Sequence, residues 1–183
     1  MRYIRQEKFI GKEKHDLLRK KTVSIVGLGA LGSVASELLT RAGIKKLILI
    51  DRDFLELSNL QRQSLFEEKD IGKSKAVVLK EKLNEINKDV DIISYFDNLD
   101  NENIDLINSD LILDCTDNLE TRFLINEYSV KNKIPFIYGS AVGDSGACRA
   151  RSRDPAAKFL FDRRLSRCPP RFGRRAHACF SAH

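Results

Sequence analysis

A polar run, Ser58-Asn59-Leu60-Gln61-Arg62-Gln63, follows an acidic pair, Asp51 and Asp53. Its amides and guanidinium are hydrogen-bond donors, and the arginine fork matches phosphate oxygens. Lys75 adds a second cation a few residues later. Two cations and amide donors suit a triphosphate. A nicotinamide dinucleotide needs only a glycine turn and an acid, so this run is in excess of what a dinucleotide site requires.

A glycine turn precedes these residues. Gly27-Leu28-Gly29-Ala30-Leu31-Gly32 matches the pattern G-x-G-x-x-G, between a β-branched run and a helical pattern. Gly27 permits the tight turn, Gly29 lets a phosphate approach the backbone, and Gly32 allows close packing of helix on strand. The free N–H groups of the helix start attract anions. The pattern predicts a nucleotide site, and a purely structural turn is the alternative.

Asp51 ends the next apolar run, about 20 residues beyond the turn, where an acid accepts hydrogen bonds from ribose hydroxyls. A turn aspartate is the alternative. Lys75 lies on the side of its helix that carries Leu79 and Leu83, in the first turn, so its ammonium can reach the carboxyl edge of a sheet. An ordinary helix lysine is the alternative. Residues 72–75 are not a P-loop, because Glu67 stands where its first glycine belongs.

Asp117 and Asn118 follow another apolar run. A carboxylate at a strand's carboxyl edge, near a phosphate site, is where Mg²⁺ is held. Asp117 with Glu120 also resembles a capping box for the next helix. Asn118 could orient the metal shell or the ligand, or begin the helix. No Ser/His/Asp triad is evident, and His15 lies in a polar N-terminal arm where we expect it to be exposed.

The elements that position these residues alternate between strands and helices. Strands are predicted at 23–26, 45–51, 90–96, 110–115 and 135–141, and helices from 31 to Gly43, at 73–88 and at 118–132. This order predicts an α/β fold, Rossmann-like, with a mainly parallel sheet and helices on both faces. Ligands of such folds bind at the carboxyl ends of the strands.

Composition divides the 183-residue chain into parts. Residues 1–21 form the N-terminal helical arm, and residues 22–146 the nucleotide-binding core. Residues 1–146 carry 22 Lys and Arg against 24 Asp and Glu, whereas residues 147–183 carry 10 against 2. This Arg-rich tail contains no Ile, Val or Glu. It is interpreted as non-native or disordered sequence from a shifted reading frame; a nucleic-acid-binding arm is the alternative.

Neither a signal peptide nor a run of roughly 18 apolar residues is evident, so we expect a cytoplasmic protein without membrane contact. The four cysteines form no CxxC pair, and no zinc site is predicted.

The motifs occur together in a pattern that resembles the ThiF/MoeB/HesA family, the ubiquitin-activating-enzyme-like superfamily of adenylating proteins. The resemblance covers residues 2 to about 146. It is carried by Arg2-Tyr3-Ile4-Arg5-Gln6, the glycine turn, Asp51-Arg52-Asp53, residues 58–63, Gly72-x-x-Lys75-Ala76, Ile86-Asn87 and Asp114-Cys115-Thr116-Asp117-Asn118.

The resemblance implies that ATP and Mg²⁺ bind at the strand ends, and that the C-terminal Gly-Gly carboxylate of a ubiquitin-like sulfur carrier protein is adenylated with release of pyrophosphate. It places Gly29 and Ala30 against the nucleotide and Asp51 on the ribose. Asn59, Arg62 and Lys75 would contact the phosphates, and Asp117 the metal. Arg5 would reach the ATP of a neighbour across a homodimer. Asp53 and Asn118 are included among the nucleotide-binding residues.

The family-like sequence ends after residues 139–143, so the C-terminal part of the family fold is expected to be missing. Two alternatives to an active adenylyltransferase stay open. One is a non-catalytic nucleotide-binding fragment of the family, and the other is an NAD(P)-dependent oxidoreductase, which rests on the glycine turn alone.

Overall fold

The computed structural model describes residues 2–142 and 145–151, which form one sheet with helices on both faces. The strands are β1 (Thr22–Val26), β2 (Lys46–Ile50), β3 (Asp91–Tyr95), β4 (Leu111–Asp114), β5 (Phe136–Val142) and β6 (Ser145–Arg151). The helices are α1 (Ile4–Ile10), α2 (Lys12–Leu18), α3 (Ala30–Ala42), α4 (Lys75–Ile86) and α5 (Leu119–Asn132). Short 3₁₀ turns span Leu57–Asn59, Glu68–Asp70 and Ile104–Ile107.

The strand order is β3-β2-β1-β4-β5-β6, and the first five strands are parallel. The chain leaves β1 toward β2 and β3 and returns on the other side at β4, so the order reverses between β1 and β4. Val26 is level with Ile50 on one side and Asp114 on the other. The loops that follow these three strands therefore start at one edge, where doubly wound sheets bind ligands.

Two apolar layers cover the sheet. On one face, α4 packs Ala76, Leu79 and Leu83 against β2 and β3, and α3 lies beside it against β1. On the other face, α5 contributes Ile125 and Tyr128. The predicted fold class is confirmed, because helices cover both faces of a mainly parallel sheet. The predicted strands and the helices at 73–88 and 118–132 agree with the observed ones to within two residues at each end.

α3 turns mainly small residues toward the sheet, and of its leucines only Leu39 packs against the core. Its buried residues are Gly32, Ser33, Ser36 and Thr40, whereas Leu31, Val34 and Leu38 are exposed. Ser33 and Ser36 bond carbonyls of their own helix through their hydroxyls, so these polar groups are satisfied inside the core. Small side chains let the helix lie close to β1. The short glycine turn that joins them requires this close approach.

The sixth strand was not predicted. β6 pairs antiparallel with β5, from Phe136 opposite Arg151 to Val142 opposite Ser145. The predicted boundary between core and tail at residue 146 falls inside this strand. Positions 152–183 of the predicted tail lie outside the described residues. In the part of the chain that the structure describes, no helix is long and apolar enough to cross a membrane.

The core predicts the effect of truncating α4. Leu79 is fully buried, whereas Val77 on the same helix is 45% exposed. We expect Leu79→Ala to lower the free energy of unfolding by about 3 kcal/mol, because it leaves a cavity between helix and sheet. Val77→Ala should change it by less than about 0.5 kcal/mol. Urea denaturation followed by circular dichroism measures both values, and equal losses would contradict the described core.

Candidate functional site

The glycine turn between β1 and α3 is wedged against the end of β4. Gly27 has a φ of +84°, and a Cβ at this position would lie 2.8 Å from the carbonyl oxygen of Cys115. A Cβ on Gly32 would lie 1.9 Å from the carbonyl oxygen of Gly27. Neither position can carry a side chain, because its Cβ would collide with backbone atoms whether or not a ligand is bound.

Gly29 differs from its two neighbours in the pattern. Its φ is −70°, which any residue can adopt, and a Cβ would meet only the Gln63 side-chain nitrogen at 3.8 Å. The fold itself thus tolerates a side chain here. A role in letting a ligand approach the backbone explains this glycine better than packing does.

Asp51 connects β2 to the glycine turn. One carboxylate oxygen accepts the backbone N–H of Leu28 at 2.5 Å, and the other accepts that of Asp53 at 2.7 Å. Burial raises the pKa of this carboxyl, and the two backbone hydrogen bonds oppose the shift. Asp51 therefore has the structural role of a turn aspartate, as the alternative interpretation predicts. Each oxygen keeps a further lone pair with which it can accept a ribose hydroxyl.

Lys75 reaches the carboxyl edge of β2, as its position in the first turn of α4 predicts. Its Nζ lies 2.8 Å from Oδ2 of Asp53, and its backbone N–H donates to the carbonyl of Asp53. The lysine side chain is only 8% exposed, whereas that of its partner is 57% exposed. A buried cation is thus held close to Asp51 by a carboxylate that water can reach.

The polar run 58–63 lies in the loop after β2, and its last residue, Gln63, reaches the glycine turn. Asn59 is buried, and its side-chain oxygen accepts the backbone N–H of Glu56 at 3.3 Å. Arg62 is exposed and donates to the carbonyl of Ser58 at 3.1 Å. Among the described residues it forms no ion pair, so its charge is available to an anion.

Gln63 is a site residue that sequence reasoning missed. It is 2% exposed, and its side-chain oxygen has no hydrogen-bond partner among the described residues. Its nitrogen is the atom nearest to the side-chain position of Gly29. In the sequence, the signal for Gln63 is its place at the end of the polar run. In the structure, its unpartnered buried oxygen points to a ligand or water, because buried amides are rarely left unsatisfied.

The predicted capping box at α5 is wrong. The cap is Asn118, whose side-chain oxygen accepts the backbone N–H of Thr121 at 2.8 Å. Asp117 is exposed, and its carboxylate is therefore not used to begin the helix. A carboxylate next to the β4 edge is left for another role. Asn118, by contrast, has a structural task that limits what its side-chain oxygen can do for a ligand.

Asp114 and Arg122 stabilise the loop that carries Asp117. Asp114 is fully buried, accepts both the N–H and hydroxyl of Thr116, and pairs with Nε of Arg122 at 2.9 Å. The guanidinium also donates to the carbonyl of Thr116 and lies 4.8 Å from the ring centroid of Tyr138. These residues hold the β4–α5 loop and were not predicted as part of the site.

Cys115 lies between the glycine turn and this loop. Its backbone N–H donates to Val26, and burial raises the pKa of its thiol to about 12. At neutral pH the side chain stays a neutral thiol, which is a poor nucleophile. The close contact with Gly27 is made by the backbone of Cys115 and not by its thiol.

The structure thus places most of the predicted residues in the loops and helix starts that follow β1, β2 and β4, at the carboxyl edge of the sheet. These are Gly27, Gly29, Ala30, Gly32, Asp51, Asp53, Asn59, Arg62, Lys75, Asp117 and Asn118. Arg5 is not among them. It lies on α1, and the neighbouring Tyr3 packs at Gly43 and Asn87, which follow the C-terminal ends of α3 and α4.

A comparison with known families decides among the nucleotide-binding alternatives. The model of the ThiF family matches residues 3–177. The chain belongs to the ThiF family. The predicted resemblance is thereby confirmed, and the oxidoreductase alternative loses its support.

Two curated relatives of the chain are named adenylyltransferases. The chain is 43% identical over 151 residues to the sulfur carrier protein ThiS adenylyltransferase of Bacillus subtilis, covering 79% of this chain and 45% of the relative. It is 39% identical over 150 residues to the Escherichia coli protein of the same name, covering 80% and 60%. The chain therefore spans about half the length of these relatives.

A solved structure has the same fold. The crystal structure of E. coli MccB with ATP superposes with a TM-score of 0.72 and 30% identity, covering 78% of this chain and 46% of that one. The parallel sheet and its glycine turn are thus those of a ThiF-type fold.

Two glycine substitutions separate ligand contact from packing. We expect Gly29→Ala to weaken ATP binding about tenfold or more, because its methyl group occupies the space of a phosphate. Its melting temperature should stay near that of the parent chain. Gly32→Ala should instead destabilise the fold by about 3 kcal/mol, because its methyl group meets a backbone oxygen. Isothermal titration calorimetry and thermal melts measure both effects; a destabilised Gly29→Ala with normal affinity would contradict this assignment.

Proposed function

We propose that this protein catalyses the ATP-dependent adenylation of the C-terminal Gly-Gly carboxylate of a ubiquitin-like sulfur carrier protein. A carboxylate oxygen attacks the α-phosphorus, the bond between the α-phosphorus and the bridging oxygen breaks, and pyrophosphate leaves with the negative charge. The observation that carries this proposal is the buried Lys75 ammonium, which pairs with Asp53 and lies close to Asp51. A nicotinamide site has no need of a cation there.

The nucleotide would lie across the carboxyl edge of β1 and β2. Asp51 accepts the ribose hydroxyls, and Gly29 and Ala30 present backbone to the phosphates at the start of α3, where the helix dipole favours negative charge. The hydrogen bond from Leu28 to Asp51 ties the ribose and phosphate subsites together. Binding thus needs little rearrangement of the backbone.

Lys75 and Arg62 would neutralise the charge that builds on the leaving pyrophosphate. Asp53 is half exposed, so water can solvate it when Lys75 turns from it to a phosphate oxygen. Arg62 has only a carbonyl partner, and Asn59 adds an amide nitrogen whose contact with Ser58 is long, 3.5 Å. Once ATP is bound and Lys75 has turned to it, these donors would stabilise the developing charge without further movement during the reaction.

Asp117 fits a magnesium ion. It is exposed at the carboxyl edge and does not cap α5, and Mg²⁺ commonly takes one or two protein carboxylates together with phosphates and water. Among the described residues no group of three or more His, Cys, Asp or Glu could form a complete metal cage. When bound, Mg²⁺ would offset phosphate charge, and Asp117 would orient it.

Arg5 supports a homodimer in this proposal. The N-terminal arm is held at the C-terminal ends of α3 and α4, whereas the nucleotide site lies at the N-terminal end of α3. α3 has 13 residues, so the two places are about 20 Å apart. That distance exceeds the reach of an arginine side chain. If Arg5 contacts ATP, it contacts the ATP of a second copy.

The carrier is proposed from the relatives. Two relatives with identities of 43% and 39% are named ThiS adenylyltransferases, which favours a ThiS-type carrier over other ubiquitin-like proteins. The reaction would run in the cytoplasm, where ATP is available. The non-catalytic alternative retains one supporting observation, because the chain spans 45% to 60% of those relatives.

Exchange of labelled pyrophosphate into ATP tests the proposal. We expect exchange that depends on a ThiS-type carrier ending in Gly-Gly, because exchange requires a reversible acyl-adenylate. A carrier lacking its last two residues is the control and should give none. ATP binding without carrier-dependent exchange would favour the non-catalytic alternative.

Lys75→Ala tests the role of the buried cation. We expect it to lower the exchange rate about 10²-fold or more, because one preorganised charge is lost from the developing pyrophosphate. Lys80→Ala, on the same helix and outside the site, is the matched control and should change the rate little. If both variants exchange at the parental rate, Lys75 is an ordinary helix lysine.

A further inference from the structure

We infer that Tyr3, His15 and Asn87 position the N-terminal arm from which Arg5 serves the site of a second copy. We call these three residues the arm anchor. The inference rests on the proposed function, since it assumes that Arg5 acts on ATP across a dimer. It adds positioning residues that touch neither the nucleotide nor the carrier.

Tyr3 occupies a space that a glycine keeps open. It is 8% exposed, and a Cβ on Gly43 would lie 2.5 to 2.7 Å from three atoms of its phenol ring. Gly43 has a φ of +80° and ends α3. A single residue thus ends the helix and admits the ring.

Asn87 fixes the phenol oxygen. It is 1% exposed, and its side-chain nitrogen donates to the hydroxyl of Tyr3 at 2.7 Å and to the carbonyl of Thr40 at 2.9 Å. Asn87 directly follows α4, and Thr40 is in the last turn of α3. The tyrosine therefore links the arm to the ends of two helices that pack on the sheet.

His15 closes the arm over the same ring. It is fully buried on α2, and its ring centroid lies 4.8 Å from that of Tyr3. The expectation that this histidine is exposed is therefore wrong. The charged groups around it are Glu7 on α1, 3.7 Å away, and Arg19, whose guanidinium lies 5.6 Å from the Tyr3 ring.

The anchor residues leave Arg5 on α1 exposed. Arg5 is exposed and follows Tyr3 by two residues, so the position of the ring sets the start of the helix that carries it. Arg2 adds a bond from its guanidinium to the carbonyl of Ile86 at 2.8 Å. Tethering the arm favours contact of Arg5 with another copy, because an untethered arm would pay the entropy cost of becoming ordered each time it bound.

A mixed dimer tests this arrangement. Tyr3→Ala should lose most exchange activity while it still binds ATP, since its own site is intact. Lys75→Ala should be inactive but should carry a normal arm. Coexpressed with different tags and purified through both, the mixed dimer pairs one intact site with one intact arm. We expect about half of the parental activity per dimer, because one of two symmetric sites is complete.

Conservative and distant variants complete the test. Tyr3→Phe keeps the ring and loses only the bond to Asn87, so it should recover most of the activity that Tyr3→Ala loses. Glu13→Gln, exposed on α2, is the control and should match the parent. A mixed dimer no more active than its two parents, or full activity in Tyr3→Ala, would overturn the inference, as would a chain that forms no dimer.

Failure of the proposed function has a different signature. In that case the parental chain shows no exchange at all, with any carrier. Hydrogen exchange then decides the anchor by itself. Tyr3→Ala must accelerate amide exchange across Ile4–Ile10 relative to Glu13→Gln, and an unchanged rate would overturn the anchor as well.

Discussion

The structure depends on one backbone contact, in which the glycine turn lies directly against the end of β4. Gly27 leaves no room for a side chain beside Cys115, and Gly32 leaves none beside Gly27. This contact brings the loops after β1 and β4 together, while the bond from Leu28 to Asp51 brings in the loop after β2. Three loops distant in sequence thus become one site because two glycines lack a Cβ.

The sequence predicted those parts of the fold that follow from local patterns. Buried parallel strands appear as apolar runs, and α4 shows its apolar side at helical spacing. The glycine turn and Lys75 were placed from the same patterns, because a strand followed by a helix fixes which edge each residue meets. Their positions in the structure follow this logic, whereas their contacts with a nucleotide stay predictions.

The rest depends on contacts between distant segments. His15 looked exposed in a polar arm, yet Tyr3 covers it. The sequence offered both Asp117 and Asn118 as the start of α5, and the cap is Asn118; pattern reasoning does not resolve a difference of one residue. The buried pair of Asp114 and Arg122 depends on how α5 packs on β4. β6 has few strong strand formers and exists as a partner of β5, so its own sequence gave little signal.

The two edges of the sheet hold different groups of residues. The carboxyl edge collects the acids and cations, whereas the amino edge holds the arm through Tyr3 and Asn87. A helix of 13 residues lies between them, and its length of about 20 Å is more than an arginine side chain spans. In a two-fold dimer each copy would supply what the other lacks. The rigid length of α3 would then make the second copy a requirement of the chemistry, rather than only a source of stability.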